Sequence, residues 1–167
     1  MNTYKELLSE VKTIFEQEPF LAEPKELYSP IEYTLSLGGK RIRPVLLMAA
    51  HEMFGGEAHN VRHAALGIET FHNFTLLHDD LMDKSPIRRG QPTVYRKWNE
   101  NTAILSGDTM FALAWRYFLR KNTPQLQNIL NTFNETAIEV CEGQQYDMNF
   151  ETRNDVSTSQ QHSTYQS

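Results

Sequence analysis

The sequence of 167 residues contains one cysteine, Cys141, so no disulfide can close within the chain and a disulfide-stapled scaffold is excluded. No run approaches the roughly eighteen apolar residues that a membrane-spanning helix needs. Blocks of about five or more like charges are also missing, and the balance of 16 Lys and Arg against 21 Asp and Glu gives a net charge of −5. A basic nucleic-acid surface and a polybasic membrane patch are therefore not expected. Asn-Gly and Asp-Gly turns are lacking, as are alternating β-branched runs, which argues against a β-rich fold. The N-terminal "MNTYKELLSEVKTIFEQ" mixes charges into its apolar pattern and reads as neither signal peptide nor anchor. These features lead us to expect a soluble cytoplasmic protein whose partners are small molecules or copies of itself.

What is present is helical periodicity. Apolar residues recur three and four positions apart in successive segments, and the spacing predicts an all-α chain. Helices are expected over Tyr4 to Gln17, Lys25 to Leu37, Pro44 to Met53, Val61 to Met82, Asn101 to Arg120 and Gln125 to Phe150. Prolines and glycines mark the breaks: Pro19 and Pro24, Gly38 and Gly39, Gly55 and Gly56, Pro86 to Pro92, then Asn122 to Pro124. "STSQQHSTYQS", residues 157 to 167, is so polar that it is expected to be a disordered tail, leaving residues 1–156 as the folded part.

Two groups of residues carry chemistry. In "DDLMD", Asp79 and Asp83 fall one turn apart on a helix face and Asp80 neighbours Asp83. Each like-charged pair costs about 0.2–0.5 kcal/mol, and Pro86 places the group near a helix C-terminus, where the dipole is already negative. A solvated acidic turn is one explanation. The apolar flanks, "FHNFTLL" before and Leu81 and Met82 within, favour a pocket edge where a divalent cation would turn repulsion into binding. Closely set carboxylates suit Mg²⁺, which takes one or two of them together with substrate phosphates. His72 is seven residues before Asp79 and lies on almost the same stripe, either as a packed core residue or as a phosphate donor.

The second group is cationic. In "GGKRIRP", residues 38 to 44, two glycines free the backbone and Lys40, Arg41 and Arg43 gather near a helix start that tolerates Pro44. Arg88 and Arg89 form another pair, and arginine suits bidentate phosphate binding. Either set alone fits a solvated basic loop. One acidic and two cationic clusters together predict two phosphorylated groups.

The ordered set "GGKRIRP" at 38 to 44, "DDLMD" at 79 to 83, "RRG" at 88 to 90 and "GQQYD" at 143 to 147 resembles the trans-isoprenyl diphosphate synthases, or polyprenyl synthetases. The resemblance implies an all-α orthogonal bundle, a homodimer, and Mg²⁺-dependent condensation of isopentenyl diphosphate with an allylic diphosphate. By that likeness Asp79, Asp80 and Asp83 would hold Mg²⁺ against the allylic diphosphate with Arg88 assisting. Lys40, Arg43, His72 and Arg89 would hold isopentenyl diphosphate, and Gln144 and Asp147 would line the allylic side. Phe74, five residues before the first aspartate, would form the floor that limits product length, although an ideal wheel sets it roughly 140° from Asp79.

The family's second aspartate-rich motif and its lysine-threonine pair have no counterpart here. The chain is therefore expected to be the N-terminal half of such a domain, inactive alone and associating with copies of itself, with helices exchanged between them. Two other readings compete with it. One is a non-catalytic helical subunit or fragment that associates with a complete synthase. The other is a His-Asp metal phosphohydrolase built on His78 and Asp79, with His51 and His63 upstream.

Overall fold

The computed structural model describes residues 2–151, which divide between Asn122 and Thr123 into two units. The polar tail expected over 157–167, and the expected end of the folded part at 156, lie outside the described residues. Seven helices and one short hairpin make up the described chain, so the all-α expectation holds.

Helix α1, Tyr4–Gln17, opens with a capping box. The Thr3 hydroxyl accepts from the Glu6 amide at 3.4 Å while the Glu6 carboxylate accepts from the Thr3 amide at 2.7 Å. Leu7, Val11, Ile14 and Phe15 form its buried stripe at helical spacing. At its far end Glu18 accepts two bonds from Arg120, at 2.9 and 2.7 Å. Helix α2, Lys25–Ser36, buries Ile31 and Leu35, and α3, Ile42–Met53, buries Val45 and Met48. Pro44 is the third residue of α3, inside the first turn, where its missing N–H costs nothing.

A single 3-10 turn at Ala58–Val61 leads into α4, Arg62–Met82. After the hairpin comes a short helix, α5, at Val94–Lys97, and then α6, Glu100–Leu119. Asn99 caps α6 by accepting from the Thr102 amide at 2.8 Å. Helices α4 and α6 share the most extensive helix–helix contact of the first unit. Their close approach is set at Gly107, where an added Cβ would lie 2.2 Å from His78 Nε2. Helix α7, Leu126–Glu151, belongs to the second unit.

The expected helices agree with the observed ones to within one or two residues at each end. The hairpin was not expected. Its strands, β1 at Ile87–Arg88 and β2 at Gln91–Pro92, are two residues long, too short for alternation to register. Its turn residues Arg89 and Gly90 have φ of 54° and 77°, the two positive values a tight hairpin demands, reached here without an Asn-Gly or Asp-Gly pair.

Candidate functional site

Helix α4 carries both halves of the candidate site. It ends at Met82 with Asp83 as its C-cap, so Asp79 and Asp80 lie in its last turn, as the sequence implies. The Asp83 amide donates to the Asp79 carbonyl at 2.8 Å and the Ser85 amide to the Asp80 carbonyl at 2.9 Å. Asp79 is half-buried and Asp83 exposed. Burial, and then the neighbouring Asp83 charge, push the Asp79 carboxyl above the ordinary carboxylate range.

Asp80 behaves differently. It is 5% exposed, and its two carboxylate oxygens share the Nε–H of Arg88, at 2.9 and 2.8 Å. The same bond, ahead of any other influence, raises the Arg88 pKa. An unpaired carboxylate this deep would be costly, so the buried member of the triplet takes a protein cation as its partner. Arg88 also feels the charges of Asp79 and Asp83, so all three carboxylates lie near this guanidinium, but only Asp80 is bonded to it. Among the described residues no group of three or more His, Cys, Asp and Glu side chains is placed to hold a metal. The same holds for His51, His63, His78 and Asp79, the set a His-Asp phosphohydrolase would need. His51 lies against Gly56, and His78 contacts the Ile104 carbonyl at 3.3 Å and Asp108 at 3.8 Å.

Two turns earlier on α4, His72 is half-buried. Burial lowers its pKa first, and the positive charge of Arg43 follows, with Arg89 and Arg88 adding to it and Glu69 opposing. The sequence's cationic clusters therefore meet around this histidine. Lys40 and Arg43 are exposed on the loop before α3 and in its first turn. Arg89 donates to the Gly38 carbonyl, and an added Cβ on Gly39 would lie 2.9 Å from the Arg89 guanidinium carbon. Gly39 has φ of 130°, a conformation that residues with side chains rarely adopt, so glycine is required there by the backbone.

Arg41 does not join the exposed cations. It is 7% exposed, and its guanidinium turns inward to Glu69 at 2.8 Å. Spacing alone gives no signal for this, because "KRIR" contains three cations with nothing to mark the buried one. Glu69, also missed by motif reading, lies 2% exposed on α4.

Phe74 is partly buried and packs against Phe71, at 5.8 Å between ring centroids, and against Phe111 of α6 at 5.3 Å. Its ring also meets His78 edge-on at 4.7 Å. Gln144 and Asp147 lie three residues apart on α7 in the second unit, where the neighbouring Gln145 donates to Asn149 at 3.0 Å.

The family model described as "Polyprenyl synthetase" matches residues 24–167. Geranylgeranyl diphosphate synthase of Methanosarcina mazei is 43% identical over 142 residues, covering 84% of this chain and 44% of that protein. Geranylfarnesyl diphosphate synthase of Natronomonas pharaonis is 38% identical over 172 residues, covering 92% and 50%. A crystal structure of a geranylgeranyl pyrophosphate synthase superposes with a TM-score of 0.87 at 47% identity, covering 95% of this chain and 49% of that one. The chain spans about half the length of the curated relatives it matches.

Proposed function

Since the chain belongs to the polyprenyl synthetase family, we propose that its first unit binds two diphosphates for Mg²⁺-dependent condensation of isopentenyl diphosphate with an allylic diphosphate. The observation that carries this reading is the pairing of opposite fields on one helix. Burial and the Asp83 charge raise the Asp79 pKa, while burial and three arginines lower that of His72. A metal ion suits the crowded carboxylates and a diphosphate suits the arginines that surround His72, so one helix faces both components of a metal diphosphate. The two lie about 10 Å apart along α4, from seven residues at about 1.5 Å each.

Asp79 and Asp83 fit Mg²⁺ as a mutually repelling carboxylate pair at a helix C-terminus, a donor set suited to a cation that also takes water and phosphate oxygens. When bound there, Mg²⁺ would stabilise negative charge on a departing diphosphate. Asp80 is assigned to Arg88 instead: it neutralises and orients that guanidinium, leaving Arg88 to face the allylic diphosphate. Lys40, Arg43, His72 and Arg89 hold isopentenyl diphosphate, with His72 as a neutral hydrogen-bonding group. Phe74, backed by Phe71 and Phe111, forms an apolar wall that limits product length, so in a complete synthase containing this half Phe74→Ala is expected to lengthen the products made from labelled isopentenyl diphosphate.

Calorimetric titration of the chain tests this reading. Isopentenyl diphosphate should bind and Lys40→Ala/Arg43→Ala should abolish it. Mg²⁺ should raise affinity for an allylic diphosphate in the wild type but not in Asp79→Asn. Absence of diphosphate binding with or without Mg²⁺ would falsify the proposal. Self-association fits the exposed apolar side chains of α3 and α6, among them Leu46, Met53, Ile104 and Leu105. No described helix is long and apolar enough to cross a membrane, and a reducing compartment, the cytoplasm, fits the single cysteine.

A further inference from the structure

We propose that Arg41, Glu69 and Asn73 are positioning residues: a buried polar network beneath the Gly38–Arg43 loop that fixes the exposed Lys40 and Arg43 in their anion-binding arrangement. The inference rests on the diphosphate reading for its purpose and on geometry for its substance. Arg41, Glu69 and Asn73 are 7%, 2% and 1% exposed, so none can be a direct ligand to a diphosphate that Lys40 and Arg43 meet from outside.

The network ties four elements together. From the loop, Arg41 Nη1 donates to Glu69 Oε1 of α4 at 2.8 Å, and Nη2 donates to the Leu35 carbonyl in the last turn of α2. Its guanidinium also lies 4.5 Å from the Phe15 ring centroid of α1. Asn73, one turn along α4, donates to the Glu69 carbonyl at 2.8 Å and to Glu69 Oε1 at 3.3 Å. Glu69 thus accepts from two sides and is itself held in one rotamer.

The backbone shows what the network holds. Arg41 has φ of 49°, a left-handed conformation that disfavours any residue with a side chain, and it lies between the two cations assigned to substrate. Relaxation to negative φ would redirect Lys40 relative to Arg43. A strained residue persists only where its surroundings over-determine it. Here the inward guanidinium supplies that constraint from below, while Arg89 grips the Gly38 carbonyl and Tyr4 donates to the Lys40 carbonyl at 3.2 Å from outside.

Net stability does not account for the arrangement. A buried ion pair contributes little more than well-packed apolar residues of the same volume, so three helices and a loop could be joined as firmly without charge. What directional bonds add is a single loop shape.

The test uses the full chain in two variants. Arg41→Met/Glu69→Gln removes both charges together while keeping volume and leaving Asn73 an acceptor. Arg41→Lys keeps the charge but cannot reach Glu69 and the Leu35 carbonyl at once. Both are measured by circular dichroism for folding, by calorimetry with isopentenyl diphosphate, and by NMR titration of His72. The double variant should fold, bind isopentenyl diphosphate about tenfold more weakly, in the middle of the range for groups sharing one network, and show a raised His72 pKa. Loss of the Glu69 charge would lower the His72 pKa and loss of the Arg41 cation would raise it, so Arg41→Lys, which removes neither charge, supplies the control: the same rise there reports release of Arg43 and Arg89 from the histidine.

A folded double variant with unchanged affinity and no rise at His72 overturns the inference. If the double variant does not fold, Arg41→Lys decides: a raised His72 pKa supports positioning and an unmoved one overturns it. If the wild type binds no isopentenyl diphosphate, the functional proposal fails, and the His72 titration still decides whether the network holds the loop.

Discussion

Two ionisable residues on α4 make opposite demands on pH. Desolvation and cations lower the His72 pKa, so the folded state binds its proton less readily than the unfolded state does. By linkage this contribution is intact above the ordinary histidine range and is lost as pH falls through that range toward the folded value. Urea denaturation at pH 7.5 and 5.5 should show a larger loss for wild type than for His72→Gln. Asp79 has the reverse sign. Its folded pKa is raised, so its contribution is present at acid pH and is lost as pH rises from the ordinary aspartate range through the folded value. Near neutral pH, Asp83→Asn should therefore stabilise the metal-free chain slightly, by about 0.2–0.5 kcal/mol for one removed repulsion, and should remove any stabilisation by Mg²⁺. A thermal melt with and without Mg²⁺ reads both effects.

At this scale the sequence was partly legible. Motif spacing identified the charged residues but could not sort them by depth. Asp80 and Asp79 are adjacent in "DDLMD", yet a step of about 100° around the helix leaves one deep enough to require Arg88 and the other free to repel Asp83. Arg41 was hidden for the same reason, since its partner Glu69 is 28 residues away with no motif of its own.

Among elements, the contact between α4 and α6 is the most sensitive. Gly107→Ala would place a methyl group 2.2 Å from His78 Nε2. Overpacking of this kind costs about 1–3 kcal/mol, and a second change, His78→Ala, should recover part of it in urea titrations. Equal loss in the single and double variants would show that the added methyl is opposed by something other than His78, since the backbone effect of Gly→Ala inside a helix is itself stabilising. Helix ends were well forecast because local chemistry sets them: the Thr3 and Glu6 capping box, the Asn99 cap, and Pro86 after the last turn of α4. The hairpin at residues 87–92 escaped because its strands are only two residues long and its Arg89-Gly90 turn is not one of the usual hairpin pairs.

For the whole molecule, exposed apolar side chains set the behaviour. Leu46, Met53 and Phe54 on and beside α3 are 61%, 71% and 92% exposed, and the first two recur at helical spacing. Large apolar side chains left this exposed promote association where they adjoin. Sedimentation velocity should show mass rising with concentration, and Leu46→Ser/Phe54→Ser should reduce it; a single monomeric species at every concentration would count against this expectation. The fold class was legible from periodicity alone, since burying one stripe per helix is a local requirement, whereas the surfaces left uncovered depend on which stripes find partners.

Because His72 and Asp79 share one uninterrupted helix, the gap between the two proposed diphosphate sites is also a count of residues. Inserting one residue between them would rotate one site by about 100° relative to the other and lengthen the gap by only about 1.5 Å. Insertions of three or four residues would restore the facing while adding a full turn. Tolerance to length change along this stretch of the gene should therefore be periodic, so a library of insertions would show alternating dead and recoverable lengths instead of a steady decline.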